Sequence, residues 1–477
     1  MKNVKKKIIK ITLGFMALSF ILLGCNQLKK KDNGTNNFLV ALLGLSSNPD
    51  TWFFVSNSGG ANLSAYTHSS AGVNTLAKTI ALPATSSGEM HGTHTGHIFV
   101  AMKNENSVGV LDMSSGSPEF IQSLQAGTRP NHMYLSPNGE TLWVMNDGNA
   151  AAPDKGADMI NCDTNSASVT VIQDGAEGKT GAQNARVLKT ICVGRGHHKA
   201  AFSTTPLRAF VSNITDGTIT VIDADPASQS YLNVIKTISL CDQAKETALA
   251  KGITCPLTDP APGVINSSAP HGIAYSPISG KIYNSSTGYG TVAVIDATTF
   301  AMSSVQVGYT GTLHMSVNND YVVLKGVDSN TDLNHVIGKM NVIRVSDNTV
   351  NTVDLMDVSP DHFMFTPDGS RLYVVSATKG AGAQLTNLKN DVVLVYDSSN
   401  LPQLTFMQEI KVGVATASHR SLDIISHDGI PMNIIVPNDG DQNVSVIDYA
   451  TNTVKETLSF DGIPNSVYVN SHSSHGH

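Results

Sequence analysis

"FVSNITDGTITVIDA", Phe210–Ala224, is an apolar run that breaks at a polar turn and resumes as a β-branched run. Branching at Cβ restricts χ1 and suits Val, Ile and Thr to a pleated strand. Asp216 and Gly217 supply the turn between them. The stretch therefore reads as two strands. Upstream, "GHHKAAFSTTPLRA" adds a start strand and a tight turn, and downstream "NVIKTISL" adds a fourth strand. The same order recurs in "PNHMYLSPNGETLWVMND" (130–147), "PHGIAYSPISGKIYNSSTGYGTVAVIDATT" (270–299), "PDHFMFTPDGSRLYVVSA" (360–377) and "VPNDGDQNVSVIDYATNTV" (436–454). Four-stranded units recurring at a spacing of roughly 40–70 residues imply an all-β propeller.

The apolar second strands set the blade number. They are "TWFFVSN" (51–57), "HIFVAMK" (97–103), "TLWVMND" (141–147), "RAFVSN" (208–213), "KIYNSS" (281–286), "YVVLKG" (321–326), "RLYVVSA" (371–377) and "NIIVPND" (433–439). This predicts eight blades over residues 39–470. "IPNSVYVN" (463–470) has the character of the first blade's start strand, so the N- and C-terminal strands would pair and close the ring without an open edge. Seven blades is the alternative, because "NFLVALLGL" competes for the place of the irregular first blade.

Composition bounds the function. The 477 residues are 41% hydrophobic and 14% charged, with a net charge of −7. That is a globular composition. Basic residues cluster only at the N-terminus, which excludes nucleic acid as a partner. Lys2, Lys5, Lys6, Lys7 and Lys10 precede the apolar "ITLGFMALSFILLG", which is short for a membrane span and reads as an export signal over residues 1–24. Its end, "LLGC", resembles the bacterial lipobox. The resemblance implies lipid attachment at Cys25, a polar tether over residues 25–38, and anchoring of the chain to a membrane of the bacterial cell envelope. Asn26 carries no inner-membrane retention signal, so the outer membrane is expected. In an exported chain the cysteines can oxidise. Cys241 and Cys255 share one short insert and form the favoured disulfide, ahead of Cys162 with Cys192. No C-x-x-C is present, which argues against a thiolate zinc site.

The start strands also carry histidine in register: His91 or His94 in blade two, His132 in blade three, His197 and His198 in blade four, His271 in blade five, His314 in blade six, His362 in blade seven and His419 in blade eight. Blade one offers Asn465 instead. The start strand is innermost, so these residues should ring one mouth of the axial channel. "HGTHTGH" (91–97) belongs to this ring and is not a subtilase motif, since the chain has no G-T-S and reads as strand throughout. A ring of imidazoles without carboxylates suits copper, with zinc as the alternative. His97 starts a second strand and falls outside it. The tail 471–477 is histidine-rich.

"FVSNITDGTITVIDA" and "VPNDGDQNVSVIDYATNTV" resemble the YVTN family of bacterial propellers, over about residues 50–470. The ring, with the adjacent His197–His198 in "GRGHHKAAFS", is similar to the catalytic propeller of nitrous oxide reductase. That resemblance implies a multinuclear copper site and redox chemistry on a small-molecule substrate, fed by an external electron donor because the cupredoxin domain of that family is missing. The expectation is a lipid-anchored propeller that binds copper for redox chemistry or copper handling. The alternative is a non-enzymatic surface propeller that binds a protein or ligand on the face where the long inserts cluster.

Overall fold

The computed structural model describes residues 51–85, 89–93, 96–148, 167–174, 185–196, 199–256, 265–328, 335–378, 387–417 and 419–470. Expectations that fall on residues 1–50 and 471–477 lie outside these: the export signal, Cys25, the tether, the "NFLVALLGL" segment and the histidine-rich tail. The short segment His68–Val73 forms a turn of its own, in which Ser69 Oγ accepts from the Val73 N–H at 3.2 Å.

The remaining described chain forms eight antiparallel sheets of four strands each. Seven blades are built from consecutive strands. Their inner strands are Met90–Gly92 in blade two, Pro130–Leu135 in blade three, Ala200–Thr204 in blade four, Pro270–Ser276 in blade five, Leu313–Met315 in blade six, Ser359–Phe365 in blade seven and Asp423–His427 in blade eight. Blade one combines both ends of the described chain. Its inner strand, Pro464–Asn470, pairs with Thr51–Asn57, setting Phe53 opposite Val469 and Val55 opposite Val467. The expected eight blades and their closure by the terminal strands are therefore present, and the seven-blade alternative is not.

The second strands read as continuous apolar runs because both of their faces are buried. Phe53 and Val55 pack toward blade eight with Ile425, Ile435 and Val446. Phe54, between them, points the other way, into blade two with Ile98, Val100 and Leu111. The same alternation places one apolar layer in every seam around the ring. Burying a Phe or Leu side chain contributes roughly 1.5–3 kcal/mol, so each seam holds its blades together without help from the channel. The outer strands instead alternate between exposed and half-buried, as in Glu119–Gln125 and Thr453–Ser459.

A polar device recurs at the end where the inner strands begin. Asn213, last in its strand, donates through Nδ2 to Thr218 Oγ1 at 2.9 Å and Thr220 Oγ1 at 3.0 Å. Asn438 donates likewise to Asn443 Oδ1 and Ser445 Oγ. The loop from the preceding blade must pass close over this amide. At Gly194 a Cβ would stand 2.7 Å from Asn213 Cγ, so only glycine fits.

Candidate functional site

Three inner strands start with the same local chemistry. Pro130 and Pro270 open two of them and Pro360 is second in the third, where the missing N–H costs little of the ladder. Pairing then slips between Pro130 and His132, between Pro270 and Ile273, and between Pro360 and Phe363. Each slip is a bulge that leaves unpaired residues and re-aims their side chains. Pro-x-His and Pro-His are thus the sequence form of a bulge placing His132, His271 and His362 at the channel mouth. The methionines beside the ring histidines pack between blades: Met133 is fully buried with Phe99 and Leu142, while Met315 and Met364 lie against other seams.

His314 and His362 come together, with ring centroids 6.3 Å apart and planes at 68°. His314 also meets the Phe363 ring edge-on at 4.8 Å. His314 Nε2 is buried and has no hydrogen-bond partner among the described residues. Burial, the neighbouring His362 and the ammonium groups of Lys199 and Lys325 hold the His314 pKa down to about 3. Burial is also the main cause that holds His362 at about 4, with Lys199 and Lys325 adding to it and Asp361 and Glu89 opposing it. Each residue keeps some exposed surface, while His314 Nε2 itself is buried. Both are neutral at pH 7.

Charged side chains also stand beside the ring histidines, Asp361 near His419 and Glu89 near His132. This corrects the expectation of an all-imidazole ring. Asp361, 3% exposed, accepts from Lys325 Nζ at 2.5 Å and from the Arg420 N–H at 2.6 Å. The exposed His419 has Nδ1 3.6 Å from the same carboxylate. Lys325 and His419 hold the Asp361 carboxyl far below its usual range against the effect of burial. Glu89 Oε2 is 3.4 Å from His132 Nδ1. Arg420, 2% exposed, is a further residue missed from sequence, like Asp361, Lys325 and Glu89. Its guanidinium donates to the carbonyls of Pro437, Ser376, Asn390 and Gly413 and to Asn438 Oδ1. One signal was available for Lys325: a lone charge inside the apolar strand Tyr321–Val327.

The other candidates are placed more loosely. His91, 8% exposed, has Nδ1 3.0 Å from the Gly92 carbonyl, and burial lowers its pKa. Its ring centroid is 6.5 Å from that of Tyr468 of blade one. His271 contributes its carbonyl to Ser212 Oγ at 3.0 Å. His94, His197 and His198 lie outside the described residues. Among the described residues no three His, Cys, Asp or Glu side chains converge as metal ligands. His97 belongs to the opposite end, where Nδ1 meets Asp174 Oδ1 at 2.5 Å in a buried pair between blades two and three.

The second strands of blades three, six and seven end at the histidine mouth, and the links that follow them fall partly outside the described residues. The described part of the link ahead of blade five is residues 240–256 and 265–269. In the last, Cys241 and Cys255 form a disulfide. Between them Asp242 caps a short helix, Gln243–Leu249. The buried Glu246 of that helix accepts from the Ser267 N–H at 2.6 Å and from Tyr289 OH at 2.6 Å. Cys192 is also disulfide-bonded, and Cys162 lies outside the described residues.

No family model matches the chain, and no curated protein matches it in sequence. Solved structures share the fold. Citrobacter koseri AztD aligns with a TM-score of 0.55 at 13% identity, over 89% of this chain and 100% of that one. The Pseudomonas aeruginosa periplasmic gluconolactonase PpgL aligns with a TM-score of 0.51 at 14% identity, over 89% and 100%. The dihydro-heme d1 dehydrogenase NirN, in complex with DHE, aligns with a TM-score of 0.51 at 14% identity, over 78% and 65%. At such identities the likeness establishes the propeller and leaves the YVTN and nitrous oxide reductase resemblances at the level of fold.

Proposed function

We propose that this chain is an exported propeller that binds a ligand at its histidine-lined mouth without chemically converting it. The observation that carries this reading is the His314–His362 pair at the channel mouth, with a buried imidazole nitrogen lacking a partner among the described residues. A buried polar atom without a partner costs free energy that a bound molecule can return. The surrounding charges are already paired in place, Lys325 with Asp361 and His132 near Glu89. This is a rigid polar surface. No serine, threonine or cysteine stands beside a base in the described site as an activated nucleophile would. The named activities of PpgL and NirN show how widely function varies on this architecture.

Two disulfide-bonded sites fit an oxidising compartment. Together with the N-terminal signal and "LLGC", they support a lipid-anchored protein of the cell envelope. Among the described residues no helix is long and apolar enough to cross a membrane. Mass spectrometry of the N-terminal peptide tests the anchor: a diacylglyceryl mass on Cys25 is expected, and an unmodified cysteine rejects it.

The second reading is copper binding, with zinc as the alternative, for copper handling or redox chemistry. Neutral imidazoles favour it, because only the unprotonated ring nitrogen ligates a metal. His314 and His362 fit as two donors, and further ligands would come from His197, His198, His94 or His132. Copper would bring electron transfer and a Lewis acid; the histidines would set its geometry and potential. Metal analysis of the purified chain separates the readings. Folded, metal-free protein after copper exposure is expected. More than one copper per chain, lost in a His314→Ala/His362→Ala variant, would put the second reading first.

A further inference from the structure

We propose that the propeller face opposite the histidine mouth docks on the bilayer that holds the lipid anchor, through an apolar rim of turn residues, so that the histidine mouth points away from the membrane; this rests on the anchoring read from "LLGC" and goes beyond ligand binding.

Short turns join first to second strands on that face. In blades three and seven they read "SPNG" (136–139) and "TPDG" (366–369), polar apart from a proline, which presets a turn. Blade six has Val317 in the place of that proline, blade five follows Pro277 with Ile278, and blade eight opens its second strand with Ile430. These three side chains are 51%, 60% and 64% exposed. An aliphatic side chain adds nothing to a tight turn and is unfavourable in water, so local structure does not account for them. Val317 also lies against the neighbouring blade: its Cβ is 3.5 Å from where a Cβ at Gly369 would stand.

The outer strands begin on the same face. Met302 in blade five and Phe406 and Met407 in blade seven are among the first three residues of theirs, and all are exposed. Most of the exposed large apolar side chains among the described propeller residues lie on this face; Leu249, Ile265, Met356 and Ile463 are those on the other. Apolar surface gathered on one face marks an interaction site.

The course of the chain selects the occupant. Thr51 opens the second strand of blade one, so the segment from Cys25 enters the propeller on this same face. Residues 26–50 can span at most roughly 85 Å, which leaves the anchored propeller free to turn unless its surface holds it. The rim supplies that hold, because interfacial binding scales with the apolar area buried among the lipids. Asp320, Asp368 and Asp428 stand in the same turns, so the contact gains nothing from anionic lipid.

The test uses the lipidated chain reconstituted into phosphatidylcholine vesicles that carry a nitroxide-labelled lipid. A fluorophore is placed by Pro277→Cys on the rim or by Thr215→Cys, exposed on the histidine face. Quenching at the rim should exceed that at the histidine face by at least about twofold. Ile278→Ser/Val317→Ser/Ile430→Ser should abolish the difference while the chain still floats with the vesicles and keeps its melting temperature, since all three side chains are exposed. Equal quenching at the two positions in the parent overturns the docking and leaves the anchor standing. A difference that survives the triple substitution also overturns it, because the rim is then not the contact. If the chain is dimeric in detergent and the triple substitution makes it monomeric, the rim is an interface between copies and the proposal fails. A chain that does not float with the vesicles removes the anchor and the docking together.

Discussion

Replacing Arg420 with Met should cost this propeller more than any single change in the ring. The guanidinium lies at the seam between blades seven and eight and serves five oxygen acceptors: four backbone carbonyls and Asn438 Oδ1. Burial lowers its pKa to about 10, so at pH 7 the charged form still leads by roughly a thousandfold. Methionine fills part of the volume and takes the donors from five oxygens at a buried site. Breaking a buried charged network by removing one side costs about 3–5 kcal/mol. Unfolding entropy of about 2.1 cal/mol/K per residue over about 420 propeller residues gives roughly 0.9 kcal/mol/K, so the melting temperature should fall by about 3–6 °C. Calorimetry on the purified variant measures this directly. Arg420→Lys keeps the charge but loses the planar fork and should fall between the two. If Arg420→Met melts within about 1 °C of the parent, the guanidinium is not holding the seam. The account of how Asp361 and the mouth are braced would then be wrong.

Three further outcomes follow from the same geometry. His314 and His362 have folded-state pKa values near 3 and 4 against an ordinary 6.5. On acidification below 6.5 the unfolded chain therefore takes up protons first, and stability falls from pH 6.5 toward 4 by up to about 2.7 kcal/mol per pH unit. Asp361, whose pKa is depressed, adds a loss in the same direction only below its ordinary 3.8. Urea midpoints across pH should show the upper slope flattened in His314→Gln/His362→Gln; an identical slope in the variant refutes it. Gly462→Ala should lose about 2–4 kcal/mol, because φ is +126° and the new Cβ would lie within 2.6 Å of the Asn57 side chain. Gly252→Ala, at φ +70° with nothing within 4 Å, is the control and should lose about 1 kcal/mol. Cys241→Ser/Cys255→Ser should admit proteolysis between residues 241 and 256 while the propeller's melting temperature barely moves, since the disulfide closes a local loop with a sequence separation of 14.

The order of strands, the number of blades and the closing pair of termini were legible in the residues themselves. Second strands such as Thr51–Asn57 must be apolar on both faces because each lies between two seams, and that requirement writes itself into a continuous run. Pro-x-His likewise announces a bulge at an inner strand's start, because proline is tolerated there and little further in. The mouth's electrostatics were not legible. Lys325 and Asp361 come from neighbouring blades, as do Glu89 and His132, and no periodicity links residues that meet only through the packing of one blade on the next. The imidazoles alone pointed to a metal. Stacking of neighbouring blades brings Lys325 onto Asp361 and His314 beside His362, and such contacts depend on which strands become neighbours and hardly at all on the local order of residues. Local pattern therefore determined the scaffold and the places of the histidines; the tertiary structure decided which of them are buried side by side and which charges are paired beside them.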